Sequence, residues 1–296
     1  MNTPYIGRFA PSPSGPLHFG SLIAALASYL DARAHDGQWL VRMEDIDPPR
    51  EVPGAARAIL KTLEAHQLEW DGEVLYQSHR SDAYNHYLDQ LAQQDLSYRC
   101  NCTRQRLKEL VGVYDQHCLQ NPPKKDAPAA IRLRTDSKQH HGNFLDIFQG
   151  EQIDNTAEEG DFVIHRKDGL YAYQLAVTVD DAYQNITHVI RGSDLLSTTC
   201  RQRYLHQLLG FTPPQYGHFP VAVNADGNKL SKQNHAPAVD STKASQNLAH
   251  AFQFLNHELP IELEKAPASE QLQWGVRHWQ RKKIPATLAK NHQTQS

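Results

Sequence analysis

Several groups of residues in this chain have types and spacings that suit chemistry rather than packing. The first is Phe9-Ala10-Pro11-Ser12-Pro13-Ser14-Gly15-Pro16-Leu17-His18-Phe19-Gly20-Ser21, a proline-stiffened loop leading from a strand into a helix. In an open α/β sheet that position, outside the carboxyl end of a strand, is where ligands bind. A helix N-terminus offers free backbone N–H groups and a partial positive charge to a phosphate ester. His18 can donate to a phosphoryl oxygen, and Gly20 leaves room for a flat base against the backbone. The second group is Asp226-Gly227-Asn228-Lys229-Leu230-Ser231-Lys232-Gln233, a polar loop directly after a strand. Its two lysines can bring ammonium groups onto a transferring phosphoryl group. The plain alternatives are a proline-rich turn and a solvated lysine loop.

The third group is charged and lies at predicted strand ends: Arg8, Glu44 and Arg191. An arginine can grip a carboxylate with two parallel hydrogen bonds, and a carboxylate can accept an ammonium. Ordinary surface ion pairs are the competing explanation. The fourth is Cys100-Asn101-Cys102 with Cys118, three thiols within 19 residues, while Cys200 stands alone. Four cysteines are too few for a disulfide framework in a chain of 296 residues, so the cluster reads as a metal site in a reducing compartment. Zinc favours four-coordinate sites built from sulfur and nitrogen ligands. His117 is the first chemical choice for the fourth ligand, although neighbouring ligands at His117 and Cys118 demand a tight backbone. Inert core thiols are the other reading.

These groups need elements to position them. Tyr5–Phe9 reads as a strand, Gly20 to Ala34 as a helix with Leu22, Ile23, Leu26 and Leu30 at helical spacing, and Trp39–Met43 as a second strand. Helices over Gly54–Gln67 and Ser81–Gln94 follow, a rhythm that argues for a parallel sheet covered by helices. The stretch 98–184 is less regular, with strand-like pieces at Ala130–Arg134 and Asp161–Arg166, and reads as an insertion carrying the cysteines. The α/β rhythm resumes over 185–240, with Ile186–Ile190 and Val221–Val223 as strands and Ser197–Leu209 as a helix. Residues 241–296 read as helical, mainly over Ser241–Leu255 and Ser269–Gln280. The division is thus 1–97, 98–184, 185–240 and 241–296. A formal charge of −3 neither announces nor excludes a nucleic-acid partner, because binding needs a local basic patch and not a basic average. The longest apolar runs fall far short of a membrane span, and Met1–Phe9 has no signal-peptide pattern. A monomeric cytoplasmic protein without a membrane partner is expected.

Together the two loops resemble the signature motifs of class I aminoacyl-tRNA synthetases. His18-Phe19-Gly20-Ser21 matches the first but ends in Ser where His is usual, and Lys229-Leu230-Ser231-Lys232-Gln233 matches the second in Lys, Ser and Lys. Arg8-Phe9-Ala10-Pro11-Ser12-Pro13 followed by Gly15 is similar to the glutamyl-tRNA synthetase version, as are Glu44-Asp45-Ile46-Asp47 and Arg191-Gly192-Ser193-Asp194-Leu195. The resemblance implies a Rossmann-type catalytic domain with a zinc-containing insertion. It implies catalytic roles for His18 and Lys232, and ATP contacts from His18, Gly20, Ser21, Lys229 and Lys232 with Mg²⁺ on the phosphates. It implies glutamate contacts from Arg8, Phe9, Ala10, Pro11, Ser12, Glu44, Tyr173 and Arg191. The spacing Cys100, Cys102, Tyr114, Cys118 resembles the small glutamyl-queuosine branch, in which Tyr114 rather than His117 would complete one structural Zn²⁺ site. Only 64 residues follow Lys232, where a full glutamyl-tRNA synthetase carries a large anticodon-binding region. That branch passes activated L-glutamate to the queuosine base in the anticodon loop of tRNA(Asp). A compact conventional synthetase charging the 3′ end, or a non-catalytic tRNA-binding paralogue, are the alternatives.

Overall fold

The computed structural model describes residues 4–110, 113–135, 142–154, 156–224 and 237–291. The first half runs β1 (Ile6–Phe9), α1 (Phe19–Arg33), β2 (Gln38–Met43), α2 (Ala55–Ala65), β3 (Leu75–Tyr76) and α3 (Ser81–Gln93). β1, β2 and β3 are parallel neighbours, with Arg8 opposite Leu40 and Met43 opposite Tyr76. Parallel strands need crossovers that cover the sheet, and α1 is such a cover. Its Leu22, Ile23, Leu26 and Leu30 are fully buried, each contributing about 1.5–3 kcal/mol. Ala25, Ala27 and Ala32 are buried too, so α1 is enclosed between the sheet and the C-terminal helices rather than amphipathic. Ser28 sits in that helix at little cost because its hydroxyl bonds back to Ala24 O and accepts from Trp39 Nε1.

The middle section holds β4 (Ser97–Cys100), α4 (Arg104–Glu109), α5 (His117–Gln120), β5 (Ala130–Leu133), the hairpin β6 (Phe144–Asp146) and β7 (Gly150–Gln152), α6 (Thr156–Glu159) and β8 (Phe162–His165). β4, β5 and β8 form an antiparallel sheet of their own. Then come α7 (Tyr173–Tyr183), β9 (His188–Gly192), α8 (Thr199–Leu208), β10 (Gln215–Phe219) and β11 (Val221–Val223). β9 pairs in parallel with β10 and lies on the free side of β1, where Thr187 N–H donates to Ile6 O at 2.9 Å. The chain therefore leaves β1 toward β2 on one side and meets β9 on the other. That reversal opens a crevice at the carboxyl ends of β1 and β9.

α9 (Ala244–Phe254), α10 (Ala268–His278) and β12 (Ala289–Asn291) pack back on this core. The fastening is Asp31, fully buried on α1, which accepts from Tyr5 Oη at 2.5 Å, Trp279 Nε1 at 2.8 Å and Arg281 Nε and Nη2 at 2.8 Å each. The Arg281 guanidinium is thereby spent on Asp31. It also sits beside Tyr5, at the end of β1 away from the crevice. No helix among the described residues is long and apolar enough to cross a membrane.

Candidate active site

The crevice holds a cavity of about 440 Å³ lined from both halves of the sheet, by Arg8 to Ser12, His18, Gly20 and Ser21 on one side and Tyr173, Arg191 and Asp194 on the other. Segments nearly 200 residues apart in sequence thus share one wall. At its floor, His18 caps α1. Its Nδ1 accepts from Ser21 N–H at 3.3 Å, so the ring proton sits on Nε2, 3.0 Å from Ser21 Oγ. The neutral ring presents a donor at a helix N-terminus that already favours anions.

Arg8 leaves β1 buried, with Nε 3.2 Å from Asp181 Oδ1. Asp181 Oδ1 also forms an ion pair with Arg42 Nη2 at 2.8 Å, and that same nitrogen stands 3.5 Å from Glu44 Oε1. Burial pushes the Asp181 carboxyl up, but Arg8 and Arg42 outweigh it and hold it at about 2. Burial pushes the Glu44 carboxyl upward, and Arg42 and Arg8 offset this only in part. The sequence reading named Arg8 and Glu44 but missed Arg42 and Asp181. A signal was there: Asp180-Asp181 closes the apolar run Leu175–Val179, and carboxylates in such a run need buried cations.

Arg191, 5 % exposed, is held differently. Its Nε donates to His218 Nε2 at 2.9 Å, Nη1 to Gln202 Oε1 at 2.8 Å and Nη2 to Thr199 Oγ1 at 2.8 Å, while Tyr173 Oη lies 3.5 Å from Nη1. An arginine Nε can only donate, so His218 Nε2 must accept. Its proton is then on Nδ1, 2.5 Å from Asp146 Oδ2. Burial, helped by the Arg191 charge, lowers the His218 pKa to about 4, so the ring is neutral at pH 7. All of Arg191's partners are neutral, and it makes no ion pair among the described residues. Asp146 and His218 lie 72 residues apart, which is why no spacing pattern revealed them. Lys229, Ser231 and Lys232 lie outside the described residues.

Apart from this crevice, Cys100, Cys102 and Cys118 bring their Sγ atoms within 4.8 Å of one another. Four thiolates on a tetrahedral zinc would stand about 3.8 Å apart, given Zn–S bonds of about 2.3 Å. The buried Tyr114 hydroxyl lies 3.4 Å from Cys100 Sγ and 3.3 Å from Cys102 Sγ, and accepts from Cys118 N–H at 3.1 Å. His117 is exposed. Burial works to raise the Cys100 pKa, but hydrogen bonds from Tyr114 and Arg132 bring it down to about 7. The donor set therefore fits a closed metal site.

The family model for class I tRNA synthetases (E and Q), catalytic domain, matches residues 6–256. A glutamyl-Q tRNA(Asp) synthetase of Vibrio cholerae is 50% identical over 285 residues, 96% of this chain and 93% of the relative. One from Pseudomonas paraeruginosa is 52% identical over 291 residues, 97% of this chain and 98% of the relative. The chain belongs to the glutamyl-Q tRNA(Asp) synthetase family of class I. A glutamate tRNA ligase from Elizabethkingia meningosepticum, in complex with its amino acid, shares the fold at a TM-score of 0.80 and 24% identity, covering 98% of this chain and 67% of that one. In this chain Ser21 serves the His18 ring.

Proposed function

We propose that this ligase activates L-glutamate with ATP and transfers the glutamyl group to the queuosine base in the anticodon loop of tRNA(Asp). The observation that carries the amino-acid reading is Arg191. A buried guanidinium whose partners among the described residues are all neutral keeps its charge for an anionic ligand, whereas Arg8 and Arg42 are already shared with Asp181 and Glu44. A glutamate carboxylate would lie between Arg191 and Tyr173, near Arg8, with its ammonium toward Glu44 and its backbone against Phe9, Ala10, Pro11 and Ser12. The α-carboxylate oxygen then bonds to the α-phosphorus of ATP as the bond to pyrophosphate breaks. His18 Nε2–H turns from Ser21 to a phosphoryl oxygen, Gly20 and Ser21 border the nucleotide, and Lys229 and Lys232 meet charge on the departing phosphates beside Mg²⁺. Positioning and charge stabilisation suffice for this step.

The acceptor reading rests on the near full-length kinship with proteins named for that reaction. Its setting is the cytoplasm, where ATP and tRNA meet, and the enzyme works as a monomer. Exchange of pyrophosphate into ATP should depend on glutamate, with aspartate and glutamine poor substitutes. Labelled glutamate should then appear on tRNA(Asp) that contains queuosine and not on tRNA(Asp) lacking it. Label on tRNA(Glu), lost after periodate oxidation of its 3′ ribose, would overturn this in favour of a conventional synthetase.

One zinc would be held by Cys100, Cys102, Tyr114 and Cys118, where it would tie β4 to α5. Purified protein should carry about one zinc per chain. After dialysis against chelator, Tyr114→Phe should retain less metal than the parent and His117→Ala as much. The reverse pattern would make His117 the ligand.

A further inference from the structure

Beside the first cavity lies a second, of about 530 Å³, and the two share Ser12, Ser14 and Tyr173 as a common wall. Apart from Glu44, the rest of its lining has no part in glutamate activation. Gln77 lines it at 1 % exposure. Its Nε2 donates to Asp180 Oδ2 at 2.9 Å, and since a carboxylate only accepts, the orientation of the amide is settled. That leaves Gln77 Oε1 buried with no hydrogen-bond partner among the described residues, a state that is costly until a donor arrives. Asp47 and Glu51 line the same cavity. Asp47 is held by Arg50 and by Arg166 at 3.3 Å, whereas Glu51 makes no ion pair among the described residues. An orphan acceptor and an uncompensated carboxylate call for a ligand that is cationic and rich in N–H or O–H donors. Tyr171 lines the same cavity.

A third cavity, of about 610 Å³, shares Val163 and Arg166 with the second and runs to Cys100 and Cys102. Arg104 and Lys167 line it, are exposed, and make no ion pair among the described residues. The three spaces follow one another with contrasting character: nucleotide and amino acid, then acidic and aromatic, then basic.

We propose that the second cavity receives the acceptor base as a cation, a deazapurine whose arm carries a secondary ammonium and a ring diol, while the third holds the adjoining phosphates. This rests on the queuosine reading above. Gln77 Oε1, Glu51 and Asp47 take the ammonium and ring N–H donors, and the diol points to the common wall at Tyr173. There a diol oxygen bonds to the acyl carbon of the glutamyl adenylate, AMP leaves with the bonding pair, and the hydroxyl proton passes to water. Phosphate contacts from Arg104 and Lys167 position the strand without reading its sequence.

The test uses the parent enzyme with ATP, labelled glutamate and queuosine-containing tRNA(Asp), inhibited by two free bases that differ in charge. 7-Aminomethyl-7-deazaguanine should compete with the tRNA about tenfold more tightly than uncharged 7-cyano-7-deazaguanine. Glu51→Gln, a change at a partly buried side chain, should shrink that preference by about threefold. Arg104→Ala combined with Lys167→Ala should raise the KM for the tRNA and flatten its dependence on salt. Equal inhibition by the two bases, or none by either, overturns the proposal while glutamylation by the parent enzyme keeps the acceptor reading alive. An unchanged KM and salt slope in the double variant removes the phosphate half. Failure of the parent enzyme to glutamylate queuosine-containing tRNA would strike down both readings together.

Discussion

Asp181→Ala should destabilise the folded protein by about 3–5 kcal/mol, the range for removing one partner of a buried ion pair. Asp181 is 2 % exposed and is the one carboxylate paired with Arg8 among the described residues. It also lies closer to Arg42 than Glu44 does, 2.8 against 3.5 Å. Without it, Arg8 loses its ion pair and Arg42 keeps Glu44 at 3.5 Å as its nearest carboxylate among the described residues. Water cannot easily reach them, so the desolvation that Asp181 offsets becomes a net cost. Urea unfolding should show a lower midpoint at unchanged slope. The residual folded enzyme should bind glutamate poorly, because Arg8 is no longer held against β2 and α7. A loss below about 1 kcal/mol, the scale of an exposed pair, would mean that the site tolerates a free arginine and that Asp181 is not its keystone.

Arg191→Met should reduce kcat/KM for glutamate by the equivalent of about 2–5 kcal/mol, the cost of truncating one side of a buried charge pair, or roughly thirty- to several-thousand-fold. Methionine keeps much of the volume and loses the charge. The preference for glutamate over glutamine should collapse with it, because a pocket without that cation no longer rewards an anion over its neutral isostere. Arg191→Lys should restore little. A single ammonium cannot span His218, Gln202 and Thr199 while also facing a carboxylate, whereas the guanidinium fork does. Thermal unfolding run alongside separates this from loss of fold, since His218 and Gln202 would lose their donor. Preserved discrimination between glutamate and glutamine in the methionine variant would shift recognition of the side-chain carboxylate to Arg8.

The signature loop, the strands before it and the cysteine trio were legible in the residues because each is local. Pro11, Pro13 and Pro16 stiffen a loop before a helix whatever surrounds it, and Ile6–Phe9, Gln38–Met43 and Val221–Val223 fall within two residues of where periodicity put them. The helix Tyr173–Tyr183 went unread as an element. Its residues Leu175 to Asp181 are all buried, so no polar face marks a helical period, and the segment reads as an extension of the insertion.

What no local pattern could supply was partnership. Arg8, Glu44 and Arg191 are visible as charges at strand ends, but their separate fates depend on which groups the fold brings alongside. Asp181 arrives from α7 to neutralise Arg8 and Arg42. Asp146 and His218 arrive from β6 and β10 to fix a neutral ring under Arg191, and Asp31 claims Arg281 for the C-terminal packing. Periodicity acts over one or two turns of chain, whereas a charge inside a protein is governed by whatever lies within a few ångströms, and those neighbours are set by folding. The chemistry a residue can do was therefore written in its type, and the chemistry it is free to do, in its burial and its partners.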